Sequence, residues 1–322
     1  MRERAENVGG HPPQGWSSNL RRSGAYKNAT DWLDRPGTAV WLLLGPCLLY
    51  LVAFAIYPLF YSLRLSFTDL TAAGGTGRWV GLTNYRDLLV DPLFWNAVLN
   101  SAVMVAASVA IQIVLGVALA LFFSLNLRGA SIVRGILVLP MLMTPIVVGV
   151  MWRALLNPDW GLVNWAIAQL GFEPPNWLGS IAMAMRTLVM VDVWQWTPFV
   201  FVIVFARLQA LPQDVFEAVQ IDGAGRFATF RYVTLPLLMP AIVFAGVFRA
   251  VDAFRSFDLI YGLSYGGPAR TTTTLSFFTF QNGFQFQNYG YAAASAYMML
   301  LILIAGTTVL LRYVRLRPGD AR

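Results

Sequence analysis

The chain has 322 residues, 57% of them hydrophobic and 12% charged, with a formal net charge of +7 and a mean hydropathy of +0.59. A soluble domain carries roughly 25% charged residues, so this composition predicts a polytopic membrane protein. Lys27 is the only lysine, His11 the only histidine and Cys47 the only cysteine, which excludes a P-loop ATPase, a His-based catalytic triad, a His-rich metal site and an internal disulfide.

Residues 1–38 are polar and rich in Gly, Pro, Ser and Arg, and are read as a retained cytoplasmic tail rather than a cleaved signal peptide. Six apolar segments follow, near 39–63, 98–125, 132–155, 183–210, 236–262 and 291–313. Each is long enough to cross about 30 Å of hydrocarbon. The predicted fold class is all-α, with a six-span domain over residues 39–314 and a short cytoplasmic tail over 315–322. Pro140, Pro145, Pro198 and Pro240 fall inside the third to fifth segments and predict kinks.

Most of the 23 basic residues lie in the N-terminal tail, at Arg128 and Arg134, at Arg207, Arg226 and Arg231, and at the C-terminus. Positive residues accumulate on the cytoplasmic side, so both termini are expected inside, with the loop between the fourth and fifth segments. The positive charge forms no soluble basic module, and no nucleic-acid partner is expected.

That loop is patterned. Glu217 to Pro236 read E-A-V-Q-I-D-G-A-G-R-F-A-T-F-R-Y-V-T-L-P. Pro212 suits a helix start, Asp214 and Glu217 favour its positive end, and Gly223 suits a sharp turn. Phe216, Val219 and Ile221 are expected to pack inward. A second short helix is expected from Arg226 towards Val233, with Pro236 opening the fifth span. Residues 212–235 therefore predict a compact helix-turn-helix knob.

The loop resembles the EAA loop of the permease subunits of binding-protein-dependent ABC importers. Glu217, Ala218, Gly223, Leu235 and Pro236 match that pattern, and Val219 and Val233 depart from it mildly. The stretch Trp79 to Tyr85 is similar to the G-L-x-N-Y segment of sugar-importer permeases. Tyr265-Gly266-Gly267-Pro268, with Thr271 to Thr274 and Leu275, is similar to their G-G-P…T-x-T-L segment. The resemblance thus runs from about residue 40 to the C-terminus. It implies a multi-pass subunit of the bacterial plasma membrane and a knob that docks on a separate ATPase. Glu217, Ala218, Asp222, Gly223, Arg226, Arg231, Leu235 and Pro236 would form the coupling surface. The implied partners are a second permease subunit, most simply a related heterodimer partner, two copies of an ABC ATPase, an extracytoplasmic substrate-binding protein and the lipid bilayer. No cofactor is expected in this chain; ATP and Mg belong to the ATPase subunits.

Charges also occur within the apolar segments. Arg249, Asp252, Arg255 and Asp258 recur every three residues in the fifth, and Asp192 sits beside Trp194, Gln195 and Trp196 in the fourth. A charge at this depth costs about 2.5–3.5 kcal/mol on insertion scales, so these groups should pair with one another and face protein or water. Arg249 lies roughly 20 Å along the axis from Pro236, near mid-bilayer, within reach of Asp192. Two readings stay open: a pathway lined for sugar hydroxyls and ring faces, or ion pairs that hold helices together. Phe277, Phe278, Phe280, Phe284, Phe286 and Tyr289 likewise suit either an interfacial belt or a docking surface.

The functional expectation is an ATP-driven sugar importer subunit working by alternating access, not an enzyme. Glycerol 3-phosphate or a polyol is the alternative substrate. An ion-coupled secondary transporter is the rival class, but it leaves the cytoplasmic motif unexplained.

Overall fold

The computed structural model describes residues 36–72, 77–125 and 129–315, and side chains from 40 to 312. The expectations for the N-terminal tail and for residues 316–322 lie outside that range. The chain divides into two units at Tyr61 and Ser62. In the first, α1 (Pro36–Leu51) passes through a π-helical turn, Val52–Ile56, into α2 (Tyr57–Leu65), within which the boundary falls. The turn sits two residues before Pro58. A proline cannot donate to the residue four before it and its ring crowds that carbonyl. The wider turn relieves this, with Tyr57 N–H bonded five residues back to Val52.

The second unit holds the end of α2, then the short α3 (Thr83–Val90) and the 33-residue α4 (Pro92–Ser124). Asp91 caps α4 by accepting from Leu93 N–H, with Pro92 at the first position, where its missing donor is no loss. Then come α5 (Ala130–Leu142), α6 (Pro145–Leu155), α7 (Leu162–Gln169) and α8 (Ile181–Gln209). Next are α9 (Gln213–Ile221), α10 (Arg226–Thr229), a second π-turn (Phe230–Thr234) and α11 (Leu235–Phe254). The short α12 (Asp258–Leu263) and α13 (Leu275–Phe280), a third π-turn (Gln281–Gln285) and α14 (Tyr289–Arg315) complete the fold. The described residues contain no β-strand beyond two isolated bridges.

Among the described residues five helices are long and apolar enough to cross a membrane. The third predicted span differs: α5 and α6 meet at a 100° bend. Pro145 forces the residue before it out of helical geometry, and Met143 and Thr144 are both extended. The prolines there make an elbow, not a gentle kink. Gln195 of α8 steadies it, its Nε2 donating to Met143 O at 3.0 Å.

The fifth predicted span also differs at both ends. Arg226–Phe254 is one helix of 29 residues, so Pro236 does not open a new helix and the segment from Arg226 is not a separate one. The second π-turn again precedes the proline by two residues and again redirects a bond five residues back, from Leu235 to Phe230. At the far end the helix stops at Phe254 instead of reaching 262.

α4 and α8 contribute to two of three apolar clusters, joined by α11 in the first and by α6, α12 and α13 in the second. One holds Val117, Ala120, Phe201, Val204, Leu238 and Ala245, towards the end of the bundle that carries α9. The other holds Met104, Val148, Leu188, Leu259 and Phe277. α6 and α12 touch backbone to backbone: a Cβ on Gly262 would lie 2.7 Å from Ile146 O, and one on Gly149 would lie 2.9 Å from Leu259 O.

The motifs at Trp79–Tyr85 and Tyr265–Leu275 prove to be joints. Asn84 Nδ2 donates to Ser66 O at 2.8 Å and to Thr68 O at 2.9 Å, while Tyr85 Oη bonds Ser66 Oγ at 2.7 Å. Thr272 and Thr273 hydroxyls donate back to Gly267 O and Gly266 O. Asn100 of α4 pins the same loop through Arg270 O and Thr273 O, both at 3.0 Å. Phe277 and Phe278 are buried, which removes them from the expected surface belt; Phe284, Phe286 and Tyr289 remain exposed.

Candidate functional site

Between the two apolar clusters, three helices bring polar groups together. Arg249 of α11 is fully buried, and Asp192 of α8 nearly so. Arg249 Nη2 donates to both carboxylate oxygens of Asp192, at 3.2 and 3.1 Å. Its Nε donates to Gln112 Oε1 of α4 at 3.1 Å, and its Nη1 to Asp252 Oδ2. Gln112 Nε2 donates in turn to Asp192 Oδ2 at 2.8 Å and to Asp192 O at 3.1 Å. The Trp196 ring covers the guanidinium at 4.6 Å. This is how a buried charge is made tolerable: an opposite charge, hydrogen bonds to the remaining donors and an aromatic face.

Gln112 escaped the sequence reading. The signal was there, since Gln112 is the only carboxamide between Ser101 and Ser124 of α4, and such groups bind helices to one another in membranes.

Other candidates separate from this centre. Trp194 stands on the opposite side of α8, edge-on to Trp152 at 5.4 Å, and Gln195 faces the elbow. Neither joins the charges. The expected row of four on one helix is broken, because Arg255 is the C-cap of α11 and Asp258 opens α12. Among the described residues Arg255 and Asp258 make no ion pair with each other, and both are exposed.

A different row emerges on α11. Phe244, Phe248, Asp252 and Arg255 fall within about 80° of arc on a 3.6-residue helix. Phe244, Phe248 and Arg255 are exposed, and the Asp252 side chain is 46% exposed. Phe248 stacks on Phe199 at 5.0 Å. A face with two charges is not a lipid face. Such a face can offer rings to apolar C–H groups and a carboxylate to hydroxyls.

The knob lies at one end of the bundle. Asp214 sits in the first turn of α9. Phe216 packs against the neighbouring apolar cluster, while Glu217 and Ala218 point outward. Ile221, expected inside, is 86% exposed, because the helix ends there and the chain turns away. Gly223 has φ +73; its N–H bonds to Gln220 O and that of Ala224 to Val219 O, the paired closure of a Schellman motif. Asp222, Gly223, Arg226, Arg231 and Pro236 are all exposed, and Leu235 is half-buried. With Phe227 and Tyr232, Ile221 gives the knob a large exposed apolar surface.

Fold and site together define a polytopic all-α membrane permease. The family described as binding-protein-dependent transport system inner membrane component matches residues 112–317, a stretch that contains both the knob and the charged centre. The chain is 34% identical over 277 residues to the trehalose/maltose transport system permease protein MalF of Thermococcus litoralis, covering 86% of this chain and 94% of that one. It is 32% identical over 288 residues to the sulfoquinovosyl glycerol transport system permease protein SmoG of Agrobacterium fabrum, covering 89% and 94%. A bacterial ABC transporter structure involved in alginate import shares the fold with a TM-score of 0.77 at 19% identity, over 92% of this chain and 100% of its own. The chain belongs to the family of binding-protein-dependent transport system inner membrane components.

Proposed function

We propose that this chain is one of two membrane-spanning subunits of an ATP-driven importer and lines the path of a sugar or sugar-like solute. The observation that carries the reading is the unbroken helix Arg226–Phe254. It joins the exposed knob to Asp252, roughly 40 Å away at 1.5 Å per residue. An ATPase that grips α9 and α10 therefore displaces the Phe244–Phe248–Asp252 face through one stiff rod. ATP and Mg are bound by that separate ATPase, in two copies, one for each permease knob, and the second permease is a related chain.

Both termini lie in the cytoplasm, as the distribution of arginines favours, and the knob faces the same side. A loaded extracytoplasmic binding protein docks on the opposite loops. Closure of the ATPase pair opens the path outward, the solute moves onto the exposed face of α11, and hydrolysis resets the helices and releases it inside. Kinship with a trehalose/maltose permease supports a neutral saccharide. Arg255, exposed and without an ion pair among the described residues, favours as a second reading an acidic sugar derivative, in keeping with the sulfoquinovosyl glycerol relative.

Vesicles holding the complete complex should take up labelled trehalose only with ATP and the binding protein. Uptake that persists on an ion gradient with the ATPase omitted would overturn the proposal. Competition by a sulfonated sugar, and not by trehalose, would select the acidic substrate.

A further inference from the structure

The ends of α4, α5, α8 and α9 line a partly open cavity of about 590 Å³ that the transport reading leaves unused. Its walls are amphipathic. Phe123, Leu125, Phe205, Leu208 and Phe216 supply apolar surface, and Arg134, Ser124, Gln209 and Gln213 supply polar groups. None of the lining residues is acidic.

Arg134 is half-buried there. Its Nε donates to Ala130 O at 3.2 Å, and its guanidinium lies 5.1 Å from the Phe205 ring centroid. Among the described residues it has no carboxylate partner, since the ion pairs belong to Arg249. A partly desolvated guanidinium with free bidentate geometry selects phosphate oxygens. Ala130, the first residue of the 13-residue α5, also lines the cavity, so the positive end of that helix adds to the field.

The surroundings favour a lipid as the source of the phosphate. Ile132, Val133, Ile136 and Leu139 of α5 are exposed, so the outer surface of this helix is apolar from its first turn onward. Arg134 lies roughly 6 Å along the axis from the helix start at 1.5 Å per residue. This is the level of the hydrocarbon edge, where arginine extends its head towards lipid phosphates. Basic pockets between helices on the cytoplasmic side hold anionic headgroups.

We propose that this cavity binds one anionic phospholipid, its phosphodiester on Arg134 and an acyl chain against Phe123, Leu125, Phe205 and Leu208. Phe216 belongs to α9, so the lipid fills the space beneath the coupling knob and helps to seat it.

The test uses the full importer complex purified in mild detergent, with phosphatidylglycerol and phosphatidylcholine as probes and native mass spectrometry as the readout. Wild type should retain one phosphatidylglycerol in preference to phosphatidylcholine. Arg134→Gln should lower that retention about tenfold, while Arg134→Lys restores part of it. Arg207→Gln, an exposed arginine at the same end of the bundle that does not line the cavity, should retain the lipid. Equal retention by wild type and Arg134→Gln would overturn the proposal. So would full displacement by glycerol phosphate alone, which would mark a free-phosphate site. A cross-link placing an acidic residue of the second permease against position 134 would do the same. Lipid retention is read without transport, so its outcome stays separate from that of the importer reading.

Discussion

Asp192 and Arg249, 57 residues apart in sequence, meet at 3.1 Å with almost no side-chain surface open to solvent. Gln112 completes the contact from a third helix. The geometry weighs against either group touching the solute, because each is already engaged by protein. They clamp α4, α8 and α11 to one another, five residues before α11 ends at Phe254, and hold Asp252 at the edge of the face that remains open.

Removing one partner should therefore be costly. Arg249→Leu leaves a buried carboxylate uncompensated, an effect of about 3–5 kcal/mol. Asp192→Leu should cost a similar amount. The double variant Asp192→Leu/Arg249→Met should recover most of the loss, since a well-packed apolar pair often matches a buried ion pair. Thermal unfolding followed by size-exclusion chromatography will show the recovery. A double variant as unstable as the sum of the singles would refute the clamp.

Asp252→Asn should separate function from stability. The side chain is half exposed, so losing its charge costs about 1 kcal/mol or less, while a hydrogen-bond acceptor for hydroxyls is weakened in the path. Uptake should fall several-fold at near wild-type melting temperature. Unchanged uptake would remove Asp252 from the pathway.

The knob is tested by two substitutions. Gly223 has φ +73 and open space around its Cβ position, so Gly223→Val meets no clash; the left-handed backbone alone costs about 1–2 kcal/mol. Co-purification of the ATPase should drop while the spans stay folded. Glu217→Lys reverses an exposed charge and should depress ATP-driven uptake without altering membrane insertion. Normal ATPase stimulation in both variants would contradict docking at this surface.

Gln195→Leu should weaken the elbow. It strips Met143 O of the donor that replaces its lost helical bond, and leaving this part-buried carbonyl unsatisfied costs about 1 kcal/mol. Faster limited proteolysis between α5 and α6 is the expected signature. A protection pattern identical to wild type would show that the elbow stands without this bond.

The membrane class, the existence of the apolar segments and the knob with its Gly223 turn were legible in the chain because each rests on local physics. In hydrocarbon every backbone group must bond within its own segment, so length and composition announce a span. A left-handed position favours glycine, and Gly223 holds one. The separation of the charges was not legible. Periodicity placed Arg249, Asp252, Arg255 and Asp258 on one helix and grouped Trp194 and Gln195 with Asp192. Only the packed structure ended α11 at Phe254, turned Trp194 and Gln195 towards the elbow and supplied Gln112 from α4. Those outcomes depend on partners many residues distant, whose approach no neighbouring residue encodes. The sequence by itself determined which segments enter the membrane. The tertiary structure decided which of their charges are sealed inside and which stay exposed, because desolvation is a property of what surrounds a group and not of where it stands in the chain.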